Sequence, residues 1–377
     1  MDARLVNAMQ QLGDENLLEL EKAKNAGQPI VGFYCLYSPV ELAVAAGAAV
    51  LPLCGTRNDP IAAAEEILPR NLCPLIKSSF GFAATGSCPY FQAAGLIVGD
   101  TTCDGKKKMF ELLDAYRPTH VMQLPSEQAS EDSQRLWRAE VERLKGRIEA
   151  YAGRPISETD LRQAISLLNR ERAARKNLMD VNRLHPAPMR GTELVTVLFK
   201  IGFLLDKERG VAAMNEVAQT MREEHKKGGG DPRRKRILLT GVPVGLGSDK
   251  VVQIVEQCGA DIVAMENCSG YKQTFCVEEE GDPLTNLATA YLATPCSVMS
   301  PNPGRFAMLE EMISGFAVDG VIDLTWQACH TYNIEAHQVE RFVSETFSKP
   351  TLHLETDYAT SDSEQLRVRI EAYLEML

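Results

Sequence analysis

Two kinds of apolar pattern alternate along this chain. Short, nearly unbroken apolar runs appear as "PIVGFYC" (29–35), "AVLPLC" (49–54), "AAGLIVGD" (93–100) and "HVMQLP" (120–125). They return as "RILLTGVPV" (236–244), "DIVAMEN" (261–267), "GVIDLTW" (320–326) and "TLHLETD" (351–357). Runs this short, rich in Val, Ile and Leu, predict strands buried on both faces. Between them lie stretches with apolar residues at helical spacing, such as "SPVELAVAAGA" (38–48) and "KKKMFELLDAY" (106–116). Ser38 is expected to cap the first of these helices, with Pro39 at its first position. Strands alternating with helices predict parallel sheets covered on both sides, an α/β architecture.

The middle of the chain reads differently. Residues 126–230 are polar and rich in Glu, Arg, Lys and Ala. "ETDLRQAISLLNRERAARKNLMDVNRL" (158–184) has helical periodicity, with Ser157 placed as N-cap ahead of Asp160. "TELVTVLFKIGFLL" and "GVAAMNEVAQTMREEHKK" continue the helical pattern, and "KKGGGDPRRK" breaks it. The expected division is an N-terminal helical extension (1–27), a first α/β domain (28–150), a helical segment (151–232) and a second α/β domain (233–377). The two α/β parts are expected to be structural duplicates.

Composition narrows the function. At 377 residues the chain is long enough for two domains. A net charge of −11 argues against a nucleic-acid partner, because binding a phosphate backbone needs a basic surface. The run Arg233, Arg234, Lys235, Arg236 reads as a solvated turn before a strand. No apolar run reaches the ~20 residues of a membrane span. The charged, amphipathic N-terminus lacks a signal-peptide core, so the expected location is the cytoplasm. A glycine-rich stretch, "TGVPVGLGSDK" (240–250), departs from the dinucleotide fingerprint and reads as a tight turn. The chain has no P-loop run and no hydrolase signature.

Ten cysteines then change the picture. Five lie in the first 103 residues, none between 104 and 257, and five between 258 and 329. Cysteine scattered as a small core residue would not leave that gap. In the reducing cytoplasm, metal binding or redox chemistry is the expected use of such a set. Cys35, Cys54, Cys103, Cys268 and Cys329 fall at or just after strand ends, where open α/β sheets bind ligands. Cys73 and Cys88 precede prolines that suit helix entry, where amide groups favour a thiolate. Cys296 sits in the proline-bounded loop "TPCSVMSPNPG". No C-x₂₋₄-C knuckle is present, so the spacing fits an iron–sulfur cluster between domains better than tetrahedral zinc. Cys258 reads as core; Cys276 has no assignment.

Taken together, "GFYCLYSPVELAVAAGA", "NLCPLIKSSFGF", "GDTTCDGKKKMFELL", "MENCSGYK", "CSVMSPNPGR", "QACHTYNIE" and "ETDYATSD" resemble the 2-hydroxyacyl-CoA dehydratase and benzoyl-CoA reductase superfamily. The branch most resembled is that of the double-cubane cluster proteins. The resemblance implies two flavodoxin- or Rossmann-like domains with a cluster in the cleft. It implies a [4Fe–4S] cluster on Cys73, Cys103 and Cys329 in dehydratase-like members. In the double-cubane branch it implies an [8Fe–9S] centre needing about six thiolates. Cys88, Cys268 and Cys296 are the other expected ligands, with Cys35 and Cys54 in reserve. The branch further implies a homodimer, a small-molecule substrate and an ATP-hydrolysing iron–sulfur activator. The rival readings are a dehydratase or reductase subunit with one [4Fe–4S] cluster, and a non-catalytic electron relay.

Three further residues are candidates for proton or hydrogen-bond chemistry. His330 follows Cys329 directly; its alternative is a solvent-facing helix start. Glu266 and Lys77 could reach the cleft; their alternative is local capping or surface charge. Lys106–Lys108 opens a helix, where cations are disfavoured by the dipole, so either an anion lies nearby or the run is solvated.

Overall fold

The structure, a computed structural model, describes residues 3–377, with side chains from Leu5 onward. Met1 and Asp2 of the expected N-terminal extension lie outside the described residues. Eight strands form: β1 (Ile30–Phe33), β2 (Ala49–Pro52), β3 (Leu96–Asp100), β4 (Thr119–Met122), β5 (Lys235–Gly241), β6 (Ala260–Met265), β7 (Gly320–Trp326) and β8 (Thr351–Thr356). They make two four-stranded sheets, ordered β2-β1-β3-β4 and β6-β5-β7-β8, and every pairing is parallel. The two orders are the same, so the halves repeat one topology. It is the flavodoxin-like winding, which reverses direction beside the first strand of each sheet.

The pattern of the strands explains their position. β1, β3, β6 and β7 are buried at every residue, as runs covered by helices on both faces should be. The outer strands β4 and β8 mix apolar with polar residues and are only partly buried. The middle helices cover these layers. In the helix Glu131–Ala152, Trp137, Val141, Leu144 and Ile148 form one buried face, which packs against β4 and the helix Pro283–Leu292. The helix Glu158–Met179 begins with a capping box, Ser157 and Asp160 each bonding the other's backbone N–H. Its buried face packs on the helix Lys207–Lys226.

Several local expectations are corrected. The helix after β1 spans only Glu41–Ala45, is preceded by Val40, and leaves the Ser38 hydroxyl without a partner. The basic run is not simply solvated: Arg234 pairs with Asp261 at 2.7 Å, and buried Arg236 donates to the carbonyls of Asn182, Leu184 and Phe316. Cys258 ends the helix Lys250–Gln257 and is half-buried beside Arg367 and Glu371, not in the core. The glycine-rich stretch is a turn that docks on the first domain. Thr56 donates to the Leu246 carbonyl at 2.9 Å, and a Cβ on Gly245 would lie 2.8 Å from the Thr56 methyl.

That contact belongs to a wider clasp. Tyr358 donates to the Gly55 carbonyl at 3.0 Å, and Tyr37 to the Thr294 carbonyl at 2.9 Å. Arg172 of the middle segment pairs with buried Glu41 at 2.6 Å, and Tyr291 donates to the same carboxylate at 2.7 Å. Three parts of the chain therefore meet on one desolvated ion pair. Among the described residues, no helix is long and apolar enough to cross a membrane.

Candidate functional site

The carboxyl ends of both sheets face a shared cavity of about 990 Å³. Seven cysteines line it: Cys35, Cys54, Cys73, Cys103, Cys268, Cys296 and Cys329. Three of them stand where a helix begins. Cys73 precedes Pro74–Thr85, Cys103 precedes Asp104–Leu113, and Cys329 precedes His330–Phe347, each as the N-cap. A helix start leaves backbone N–H groups without partners, and here sulfur occupies the place usually taken by a Ser or Asp oxygen. The Lys106 N–H donates to Cys103 Sγ at 3.5 Å. Proline at the first helical position after Cys73 fixes that turn.

Two thiols are presented by strained backbone. Cys35, just beyond β1, has φ 70°, and Ala328, just before Cys329, has φ 61°. Residues with a Cβ seldom adopt this region, and the strain is of the order of 1 kcal/mol or more. At both places the left-handed residue turns the chain off a strand end, at the positions where the sheets reverse winding.

The electrostatics sort the thiols into two neighbourhoods. Burial pushes the Cys329 thiol up to about 12, and Cys73, Cys103 and Cys296 add repulsion. Burial likewise raises Cys73 to about 11, against the pull of the Leu75 and Ile76 N–H groups, with Cys103 adding repulsion and Lys106 opposing. Burial raises Cys268 to about 12, with Cys296 and Glu266 repelling and Lys272 and Lys106 opposing. Cys35 is raised well above its ordinary value by burial, then by Asp100, Cys268 and Cys296. Cys329 thus feels Cys73, Cys103 and Cys296, and Cys35 feels Cys268 and Cys296. Burial thus favours the protonated form of Cys35, Cys73, Cys268 and Cys329.

Compensation is built in. Lys106 is buried and lines the cavity; burial disfavours its charge, but Cys35, Cys54, Asp100 and Cys103 outweigh that and hold it protonated. The lysine run is therefore divided. Lys106 turns inward to the thiols, whereas Lys108 pairs with Glu111 at the surface. On the other side, Tyr332 approaches Cys296 Sγ at 4.0 Å and accepts a hydrogen bond from Lys272 Nζ at 2.9 Å. Lys272 and Arg305 both stack on the Tyr332 ring.

The remaining predicted residues divide between the cavity and places away from it. His330 lines the cavity and is exposed. Glu266 is fully buried outside the lining, 2.9 Å from Lys272 and 3.6 Å from Arg305. Those cations outweigh its burial and keep its carboxyl low. Lys77 pairs with Glu65 at 2.8 Å and donates to the Arg70 carbonyl. Cys88 starts the short helix Pro89–Ala93 and is not among the cavity-lining residues, while the reserve cysteines Cys35 and Cys54 are. Cys276 is exposed. Sequence reasoning missed Tyr332, Lys272 and the inward turn of Lys106. Only Lys106 had a signal, its charge at a helix start.

The donor set tests what such a cavity could hold. Among the described residues, no three His, Cys, Asp or Glu side chains close around a single metal ion. Soft thiols spread over the walls of a cavity, backed by helix N-termini and a buried ammonium, suit a polynuclear iron–sulfur group rather than one tetrahedral ion. The residues present fit such a group.

Fold and site together define a class: paired flavodoxin-like domains closed over a thiol-lined cleft. The family model for the 2-hydroxyglutaryl-CoA dehydratase D-component matches residues 35–377, and the chain belongs to that family. It is 45% identical over 355 residues to "Putative dehydratase subunit YjiM" of Escherichia coli K12, covering 94% of this chain and 93% of that protein. It is 22% identical to the (R)-phenyllactyl-CoA dehydratase beta subunit of Clostridium sporogenes, over 95% and 94% of the two chains. To the lactoyl-CoA dehydratase subunit beta of Anaerotignum propionicum it is 23% identical, over 93% and 92%.

Proposed function

We propose that this chain is a low-potential iron–sulfur reductase subunit of the dehydratase family, built around a double-cubane [8Fe–9S] centre. The observation that carries the reading is the gathering of seven thiols in one interdomain cavity. Cys73, Cys103 and Cys329 would hold one cubane; Cys35, Cys268 and Cys296 would hold the other. Cys35 replaces Cys88 in this assignment because it faces the cavity. Such a group, when bound, supplies one-electron transfer at very low potential to a small unsaturated substrate.

The chain's own residues supply the setting. Lys106 and the three helix starts offset the negative charge of the thiolates. Tyr332, held by Lys272, offers a hydroxyl toward Cys296, and hydrogen bonds to cluster sulfur tune potential. His330, exposed where it lines the cavity, would be the residue to exchange protons with solvent. The clasp through Tyr358, Tyr37 and Glu41 holds the parts of the chain together around the cavity.

ATP coupling would come from a separate iron–sulfur activator, since this sequence has no P-loop run. A homodimer is the expected assembly, because one chain furnishes a whole set of thiols. The test is an anaerobic assay of substrate reduction, omitting activator, ATP and reductant in turn. The reading expects turnover only with all three; full turnover with a mild reductant alone would contradict it. A second reading is a dehydratase subunit, as the names of the dehydratase beta-subunit relatives suggest; it would carry one [4Fe–4S] cluster on Cys73, Cys103 and Cys329.

A further inference from the structure

The cavity has a second wall that the thiols do not use. Leu168, Glu171, Arg172 and Arg175 line it from one face of the helix Glu158–Met179. Val195, Leu198, Phe199 and Gly202 line it from one face of the helix Gly191–Gly202. Both sets recur at helical spacing, so two helices of the middle segment turn whole faces toward the cavity. One face is apolar and the other is charged.

The charges on that wall are not alike. Arg172 is fully engaged, with Glu41 at 2.6 Å, Tyr291 at 3.0 Å and the ring of Phe275 beneath it. The Glu171 carboxylate pairs with Lys207 at 3.5 Å. Arg175 is only 6% exposed and none of the described residues gives it a hydrogen bond or an ion pair, yet its nitrogens are not among the sealed, partnerless polar atoms, so they open onto the cavity it lines. Glu171 and Arg172 are the charged groups that act on it, and burial lowers its pKa. Guanidinium groups are almost never buried without a partner, because desolvation penalises an isolated charge heavily. No cysteine figures among the charges that act on Arg175, and Lys106 already serves the thiols.

We propose that Arg175 anchors a subsite for a small organic carboxylate, whose hydrocarbon part lies on the apolar face formed by Val195, Leu198 and Phe199. The planar guanidinium fork matches a carboxylate bidentately. The apolar wall selects a carbon chain over a bare inorganic anion, and the cavity continues from this wall to the thiols. As a substrate site the assignment rests on the reductase reading; as a binding site it does not.

The test is calorimetric titration of anaerobically purified, full-length protein with sodium hexanoate, hexanamide and inorganic phosphate. Iron content is read in every sample. Hexanoate should bind the native protein, and hexanamide and phosphate at least about tenfold more weakly. Arg175→Gln should weaken hexanoate about tenfold or more while keeping its iron, and Arg175→Lys should fall between. Equal binding of hexanamide or phosphate, or unchanged hexanoate affinity in Arg175→Gln, would each overturn the proposal. Loss of iron in Arg175→Gln would overturn it too, by assigning the guanidinium to the cluster. A native protein that binds hexanoate but holds no iron would sink the reductase reading and leave the carboxylate subsite standing.

Discussion

At the scale of single residues, the thiols separate by where they point. Cys35→Ala, Cys103→Ala and Cys329→Ala should each lose most cluster iron, measured after anaerobic purification. Cys88→Ala should retain it, because Cys88 does not line the cavity. Cys258→Ala should retain it as well and cost about 1 kcal/mol or less, as a half-exposed side chain. Retained iron in Cys35→Ala with lost iron in Cys88→Ala would reverse the assignment. Glu266 is a different matter. Its charge is locked between Lys272 and Arg305, so Glu266→Gln should lower stability by roughly 3 kcal/mol, read from the urea midpoint, as breaking a buried ion pair does. Four of the candidate ligands, Cys35, Cys103, Cys268 and Cys329, were visible in the sequence as strand-end cysteines, Cys73 by its helix-entry proline and Cys296 by its proline-bounded loop. The choice between Cys35 and Cys88 was not, since it depends on a left-handed turn at Cys35 that no local signal marks.

At the scale of elements, the strands were the most legible part, because burial on both faces leaves an unbroken apolar run. β7 spans the same residues as its apolar run, and Ser157 caps its helix as its spacing with Asp160 implies. Legibility failed where tertiary contacts set the outcome. The lysine run could not be divided until the helix Asp104–Leu113 was placed beside the thiols. The helix Ala3–Asn25 packs on the helix Gly191–Gly202, with Asn16 donating to the Phe203 carbonyl, a contact across 187 positions. One element carries a pH prediction. His120 on β4 is partly buried, and burial, with Arg143 and Arg147 nearby, lowers its pKa from 6.5 to about 4. The unfolded chain binds that proton more readily, so its contribution to stability is complete above 6.5 and is lost as pH falls toward 4. Comparing urea midpoints of the native protein and His120→Gln across that window should show a flatter acid limb in the variant. Parallel limbs would mean that His120 titrates normally.

At the scale of the whole molecule, two sheets of one topology are clasped so that their ligand-binding edges become a single cavity. The glycine-rich turn at 240–250 shows how sequence and assembly connect. Its glycines suit neither a nucleotide nor a regular helix start; they let the turn approach Thr56 and Phe199. Tyr358→Phe removes one clasp hydrogen bond and should lower stability by about 1 kcal/mol, measured by urea unfolding. All of this architecture serves one claim, that the cavity holds a large iron–sulfur centre. The most direct measurement is iron and acid-labile sulfide per chain in protein made and purified without oxygen. The account predicts a brown protein with about eight irons and about nine sulfides per chain. About four irons, or a colourless protein carrying stoichiometric zinc, would contradict it.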